Sequence, residues 1–241
     1  ALPVTLVAPA KLTLSLRVAG VRADGYHLID AEMVTLDLAD TLVVGPGDDL
    51  EVVDATTGTG LVVEAGGDNL VRRAPALPGR RAHIRLDKRI PAGAGLGGGS
   101  ADAAAVLRWA GFADLEAAAR LGADVAFCVV GGRARVSGIG EVIEPLPFEL
   151  RTLTLWTPPF GCATPAVYRA WDDLGGPRGD HGNDLEPAAL AVEPRLADWR
   201  DRFAAAAGQR PRLAGSGSTW FVEGEVPGEG RVVVHTTPAQ T

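Results

Sequence analysis

The sequence is short of several residue types, and each shortage narrows what the chain can be. It has two cysteines in 241 residues, too few for a disulfide framework. Cys128 sits in an apolar run and reads as a buried thiol, while Cys162 falls in a loop. No apolar run approaches the roughly 18 residues of a membrane span, and no signal peptide is visible, so a cytoplasmic protein without a membrane partner is expected. Basic residues are outnumbered: the net charge is −7, which argues against a nucleic-acid partner. Lysine is nearly absent. Lys11 and Lys88 are the only two, and every other long basic side chain is Arg. A chain that uses Arg almost everywhere makes its remaining lysines notable, because Arg is a poor substitute where chemistry needs a compact point charge. Tyrosine is equally scarce, with Tyr26 and Tyr168 alone, and asparagine is limited to Asn69 and Asn183.

Glycine is abundant, and it is concentrated. The stretch PAGAGLGGGSADAAAVL, from Pro91 to Leu107, carries glycines at 93, 95, 97, 98 and 99. It passes through Ser100 into an alanine-rich run that predicts a helix over 101–109. Glycine lets a ligand approach the main chain, and a helix start offers unpaired N–H groups at the positive end of its dipole. Together they form a site for phosphate. A P-loop is excluded, because no Lys follows the last glycine. Gly93 to Gly98 satisfies the dinucleotide pattern GxGxxG literally. However, Lys88-Arg89-Ile90-Pro91 separate it from the strand at 83–86, and the acidic residue about 20 positions on would be Glu116, inside a helix. An ordinary helix-capping turn needs only one or two glycines.

The form K-x-I-P-x-G-A-G-L-G-G-G-S-x-D-A-A-A closely resembles the phosphate-binding motif of the GHMP kinases. Two other stretches extend the resemblance in the right order. Pro9-Ala10-Lys11 followed by Arg22-Ala-Asp-Gly-Tyr-His27 resembles the diphosphocytidyl-methylerythritol kinase branch specifically, and Gly215-Ser-Gly-Ser-Thr219 resembles the third GHMP motif. Between them, Gly122-Ala-Asp124-Val-Ala126-Phe is similar to the branch's G-A-D-V-P-F.

The resemblance implies an α+β GHMP kinase fold: an N-terminal domain over 1–147, of the ribosomal-protein-S5-domain-2-like type, and a smaller α/β-plait domain over 148–241. The boundary would fall at Pro145-Leu-Pro147. It implies ATP and Mg²⁺ as cofactors and a small-molecule substrate carrying a cytidine diphosphate, handled by a monomer or homodimer. Lys11 and Asp124 would be catalytic, supplying positive charge and the base. Asn69, Pro91, Gly93, Gly95, Leu96, Gly97, Gly98, Gly99 and Ser100 would hold the nucleotide, with Ser100 near the metal. Thr13, Gly25, Tyr26, His27, Thr164, Tyr168, Gly215 and Ser216 would hold the substrate, the two tyrosines walling a cytosine slot and His27 bonding the base edge. A Cβ at Gly95 or Gly98 would crowd the triphosphate. Departures are Thr13 where the family commonly has Asn, Ala126 for Pro, Ile139 where an Arg is usual, shortened connections and no C-terminal helix. A GHMP kinase acting on another alcohol, and a non-catalytic relative that binds a metabolite or nucleotide, stand as alternatives.

Local patterning predicts the rest. Strands are expected at 4–8, 12–18, 32–38, 40–44 and 153–157, with Pro9-Ala10-Lys11 breaking the first from the second. A hairpin is expected between 50–53 and 61–64. Asp68, Asp114 and Thr164 are candidate helix caps. The apolar run 125–130 reads as a strand, and a helical stretch follows Glu186 to about residue 207.

Overall fold

The computed structural model describes residues 3–54, 56, 65–66, 68–76 and 79–240. Its first two strands are long. β1 (Val4–Val21) and β2 (His27–Gly45) form an antiparallel hairpin around a turn in which Gly25 N–H donates to Arg22 C=O. The expected break at Pro9 is a register slip within β1 rather than its end. β1 pairs only with β2, so it is an edge strand, where a residue without an N–H is tolerated. The two strands expected at 32–38 and 40–44 are likewise one.

β3 (Asp49–Asp54) runs parallel beside β4 (His83–Lys88), which occupies one of its two edges. The proposed partner 61–64 lies outside the described residues. α1 (Leu70–Arg73) is capped by Asn69, not Asp68: the Asn69 side chain accepts from Val71 N–H at 2.9 Å. A 3-10 turn, Ala74–Ala76, follows. α2 (Gly98–Trp109) starts three residues before the expected point, and α3 (Leu115–Leu121) is capped by Asp114 as its sequence indicates. The run 125–130 is a helix, α4 (Val125–Val130), not a strand. Six consecutive apolar residues fit a buried helix turn as well as a buried strand, and only the packing decides.

β5 (Arg133–Gly138), β6 (Val142–Pro145) and β7 (Thr152–Trp156) precede α5 (Thr164–Asp173), whose cap is Ala163. Thr164 already lies in the first turn and gives its hydroxyl to Ser216 instead. The helical stretch after Glu186 is two helices, α6 (Glu186–Val192) and α7 (Leu196–Ala207), separated around Pro194. β8 (Arg212–Leu213), β9 (Trp220–Glu223) and β10 (Arg231–Thr237) complete the order. No helix follows β10 among the described residues.

All ten strands form one sheet. Its main path is β3-β4-β2-β10-β7-β9-β8, with β1 and β5 also paired to β2, and β6 to β5. β10 makes the junction: Thr236 and Thr237 pair with Leu36 and Thr35 of β2, while 231–235 pair with β7. α2 is the central helix. Its residues 101–107 are all buried, and it packs on β1 and α4. Alanines at 101, 103, 104 and 105 permit that close approach. Val106 and Leu107 each contribute roughly 1.5–3 kcal/mol by leaving water. No helix among the described residues is long and apolar enough to cross a membrane.

Candidate active site

A cleft of about 500 Å³ opens over the start of α2. The glycine loop forms its floor. Gly97 caps α2 with a φ of 66° and no side chain, leaving the first helical N–H groups directed into the cleft. A side chain there would also meet Lys11, whose Cγ lies 2.7 Å from the Cβ position. Gly95, at φ 80°, presses its Cβ side to within 2.2 Å of the Ala214 carbonyl. The first glycine loop is thus seated on the second, and Thr219 N–H to Ala94 C=O at 3.0 Å joins them.

The expectation about Gly98 needs correction, and so does that for Gly95. A Cβ on Gly98 would meet Lys88 Nζ at 3.0 Å and Ile90 at 3.1 Å, and one on Gly95 would meet backbone. Both side-chain directions point into protein, so substitution strains the fold before it crowds a ligand. Gly99 is the open position, with only Leu70 within 4 Å at 3.9 Å.

Lys11 and Asp124 are brought together: Nζ lies 3.1 Å from Oδ2. Lys11 also donates to Thr13 Oγ1 at 3.0 Å. Asp124 occupies the cap position of α4 but makes no capping bond with its side chain, so the carboxylate is available to the lysine and the cleft. The turn at 138–141 supports it from outside, since Gly140 packs so tightly on Ala123 that a Cβ would fall 2.1 Å from its carbonyl oxygen.

The second glycine turn supplies the opposite wall. Buried Asn183 holds it by donating to Gly215 C=O at 2.7 Å and Leu213 C=O at 3.1 Å. A Cβ on Gly215 would come within 3.7 Å of both Lys11 Nζ and Thr13 Oγ1. Thr164 and Ser216 share a hydroxyl–hydroxyl bond of 2.8 Å. Burial pushes the Tyr168 phenol well above its ordinary value, with the Asp124 carboxylate adding to the effect, and Tyr168 lines the same cleft.

Of the residues singled out in the sequence, Lys11, Thr13, Asn69, Pro91, Gly93, Gly95, Gly97, Gly98, Gly99, Ser100, Asp124, Thr164, Tyr168, Gly215 and Ser216 all line this one cleft. Leu96 is buried beneath the loop, and its carbonyl accepts from Lys11 N–H at 3.0 Å. Gly25, Tyr26 and His27 stand outside the lining. His27 packs on Tyr168 with ring centroids 4.6 Å apart, meets the edge of Trp171, and bonds Asp172 through Nε2 at 2.9 Å. Tyr26 is 56% exposed, with the Arg22 guanidinium 5.8 Å from its ring. The ring lying against Tyr168 is therefore His27.

A second charged group, with no role assigned from the motifs, lies under the same loop. Lys88 is buried between Asp40 and Asp102, bonded to both. Asp40 also accepts from the backbone N–H groups of Arg89 and Ile90, tying down the start of the glycine loop. Burial pushes Asp102 up to about 8; Lys88 opposes the shift and Asp40 adds to it. Asp102 Oδ1 has no partner. Lys88 and Asp102 are fixed positions of the glycine-loop motif, K-x-I-P and S-x-D, but nothing local linked them to each other or to Asp40. Among the described residues, no group of three or more His, Cys, Asp or Glu side chains is arranged to hold a metal.

Comparison with known proteins adds a family context. The GHMP kinases N terminal domain matches residues 62–132. The 4-diphosphocytidyl-2-C-methyl-D-erythritol kinase of Paracoccus denitrificans is 41% identical over 89% of this chain and 84% of its own length. The enzyme of the same name from Cereibacter sphaeroides is 40% identical over 89% and 87%. A crystal structure of a 4-(cytidine 5'-diphospho)-2C-methyl-D-erythritol kinase superposes with a TM-score of 0.76 at 31% identity, covering 97% of this chain and 99% of that one. A homoserine kinase from Cytophaga hutchinsonii, 16% identical with a TM-score of 0.58, shares the fold.

Proposed function

The chain belongs to the 4-diphosphocytidyl-2-C-methyl-D-erythritol kinase family of GHMP kinases, and from that premise we propose that it transfers a phosphoryl group from ATP to a hydroxyl of 4-diphosphocytidyl-2-C-methyl-D-erythritol. This would be a cytoplasmic step of non-mevalonate isoprenoid precursor synthesis. The observation that carries the reading is the Lys11–Asp124 pair, 3.1 Å apart, in the cleft that the glycine loop floors.

Phosphoryl transfer is chiefly positioning and charge neutralisation. The loop backbone and the first N–H groups of α2 bind the phosphates. Asp124 accepts the proton of the attacking hydroxyl, a role worth about 10²–10⁴-fold. Lys11 pairs with that carboxylate at 3.1 Å and lies where charge gathers on the transferring group. A magnesium ion, which would neutralise phosphate charge, needs only one or two protein oxygens beside those of the nucleotide. The Ser100 hydroxyl on the first turn of α2, lining the cleft, fits that need. Tyr26, exposed and adjacent to His27, offers a ring face for the cytosine, and base–aromatic stacking is worth about 1–3 kcal/mol. The intact ion pair argues for turnover rather than passive binding.

The test is a coupled ADP-release assay with this substrate against homoserine and mevalonate, alongside calorimetry with CDP and UDP. CDP is expected to bind and compete with substrate, with UDP weaker and Tyr26→Ala reducing CDP affinity. Turnover of another alcohol in preference, or no binding of either nucleotide by wild type, would overturn the substrate assignment.

A further inference from the structure

Arg108, next to last in α2, is a half-buried cation with no carboxylate partner among the described residues. Burial holds its guanidinium below its ordinary value, against the opposing influence of Cys128. Its donors go to main-chain carbonyls instead. Nη1 bonds the carbonyl of Cys128 in the last turn of α4, and Nη2 bonds that of Val7 on β1 at 3.3 Å. Those two carbonyls have matching positions. Val7 lies four residues before Lys11 on the same strand, and Cys128 lies four residues after Asp124 on the same helix. The Cys128 N–H in turn donates to the Asp124 carbonyl at 3.0 Å. Lys11, Arg108 and Cys128 also border one small internal cavity, so little more than side-chain packing separates the guanidinium from the ion pair.

Both carriers of that pair are locally weak. Between Val7 and Lys11 the β1–β2 register slips at Pro9, which has no N–H to give the ladder. α4 has six residues, far too few to hold its shape unaided. A cation bonded to a carbonyl in its last turn stabilises such a helix through both hydrogen bond and dipole. α2, by contrast, is twelve residues long and buried from 101 to 107, and its first turn underlies the glycine loop.

We infer that Arg108 is a positioning residue, one that staples the Lys11 strand and the Asp124 helix to α2 and so fixes the ion pair relative to the phosphate loop. This rests on the phosphoryl-transfer reading above. It assigns to α2 a second task at its far end, ten residues beyond Gly98.

The test uses the scarcity of lysine. Protein labelled with ¹⁵N at the lysine side chains gives two Nζ resonances, assigned with Lys11→Arg. Lys88, held between Asp40 and Asp102, serves as the internal reference for an intact fold. In Arg108→Met, which keeps a long apolar stem and removes the donors, the Lys11 resonance is expected to move while that of Lys88 stays. Turnover is expected to fall about tenfold, since small misplacements of reacting groups are costly, with KM for both substrates within twofold of wild type. Arg108→Lys retains the charge but can reach one carbonyl only; it is expected to fall between the two and carries the same measurements should the Met variant not fold. Both resonances unmoved, both moved together, or an unchanged kcat would overturn the inference. The spectra need no substrate, so a wild type that fails to phosphorylate would refute the functional reading without touching this one.

Discussion

Lys11 and Lys88 are both buried, both paired with aspartate and both beside the same glycine loop, but the balance of charge around them differs. Lys11 meets one carboxylate, Asp124, which remains 29% exposed to the cleft. Lys88 meets two, Asp40 and Asp102, at 0% and 1% exposure. The first arrangement leaves the carboxylate reachable from the cleft. The second is closed: its ammonium already serves two anions, and burial alone would depress Lys88 were it not for Asp102 and Asp40, which hold it above its ordinary value. Proximity of a lysine to a phosphate loop therefore does not make it a phosphate ligand. What distinguishes the two is whether the partner carboxylate can be reached from the cleft.

The contrast can be broken in four ways. The largest effect is expected from Lys88→Met. It removes the cation from between two buried aspartates, and breaking a buried ion pair by removing one partner costs about 3–5 kcal/mol. Urea unfolding should show that loss; a change under about 1 kcal/mol would mean that the cluster is not structural. Next is Asp124→Asn, which keeps size and removes basicity. Turnover should drop roughly 10²-fold or more, with the melting temperature little changed. Near-normal turnover would reduce Asp124 to a helix-end residue and erase the distinction between the two lysines.

Third, the loop glycines over each lysine should behave differently from their open neighbour. Gly99→Val, which has room, is expected to weaken nucleotide binding about tenfold, or about 1.4 kcal/mol, without altering the melt. Gly98→Val, pressed on Lys88 and Ile90, should lower the melt. Equal melts for both would contradict the packing. The smallest effect concerns pH. Asp102 is lifted to about 8 in the folded chain, above the roughly 3.9 of an unfolded aspartate. The folded state then retains a proton that the unfolded state releases, so this group's contribution to stability falls as pH rises between about 4 and 8. Asp102→Asn should flatten that decline: close to wild type at pH 4, and increasingly more stable than wild type toward pH 9. A variant less stable than wild type at pH 9 would show that Asp102 is ionised in the fold throughout.

The two lysine sites also mark what could be read without coordinates. The glycine loop, Ser100 and the start of α2 were legible because turn chemistry and helix initiation are local, as was the Asp114 cap. Lys11 and Asp124 were paired by resemblance to a family; nothing in the 112 intervening positions links them. Lys88 and Asp102, 14 residues apart, both stand in the glycine-loop motif, but Asp40, 48 residues from Lys88, left no local trace. The run at 125–130 was misassigned because an apolar segment of six carries no period. Arg108 was invisible, since a side chain that bonds only backbone carbonyls has no complementary residue to be found in the sequence.

β10 carries a consequence for assembly. It follows every other strand in the chain, yet it lies at the middle of the main sheet path, between β2 and β7. Until it is made, the edges of β2 and β7 that it covers both remain open, and open strand edges are templates for pairing with other chains. Translation at about 5–20 residues per second gives earlier segments time to fold first, but here they cannot finish until β10 has emerged. Nascent or nicked chains lacking 231–237 should therefore be the ones that aggregate. Stop codons placed before Arg231 would be more damaging to soluble yield than the loss of a few residues implies.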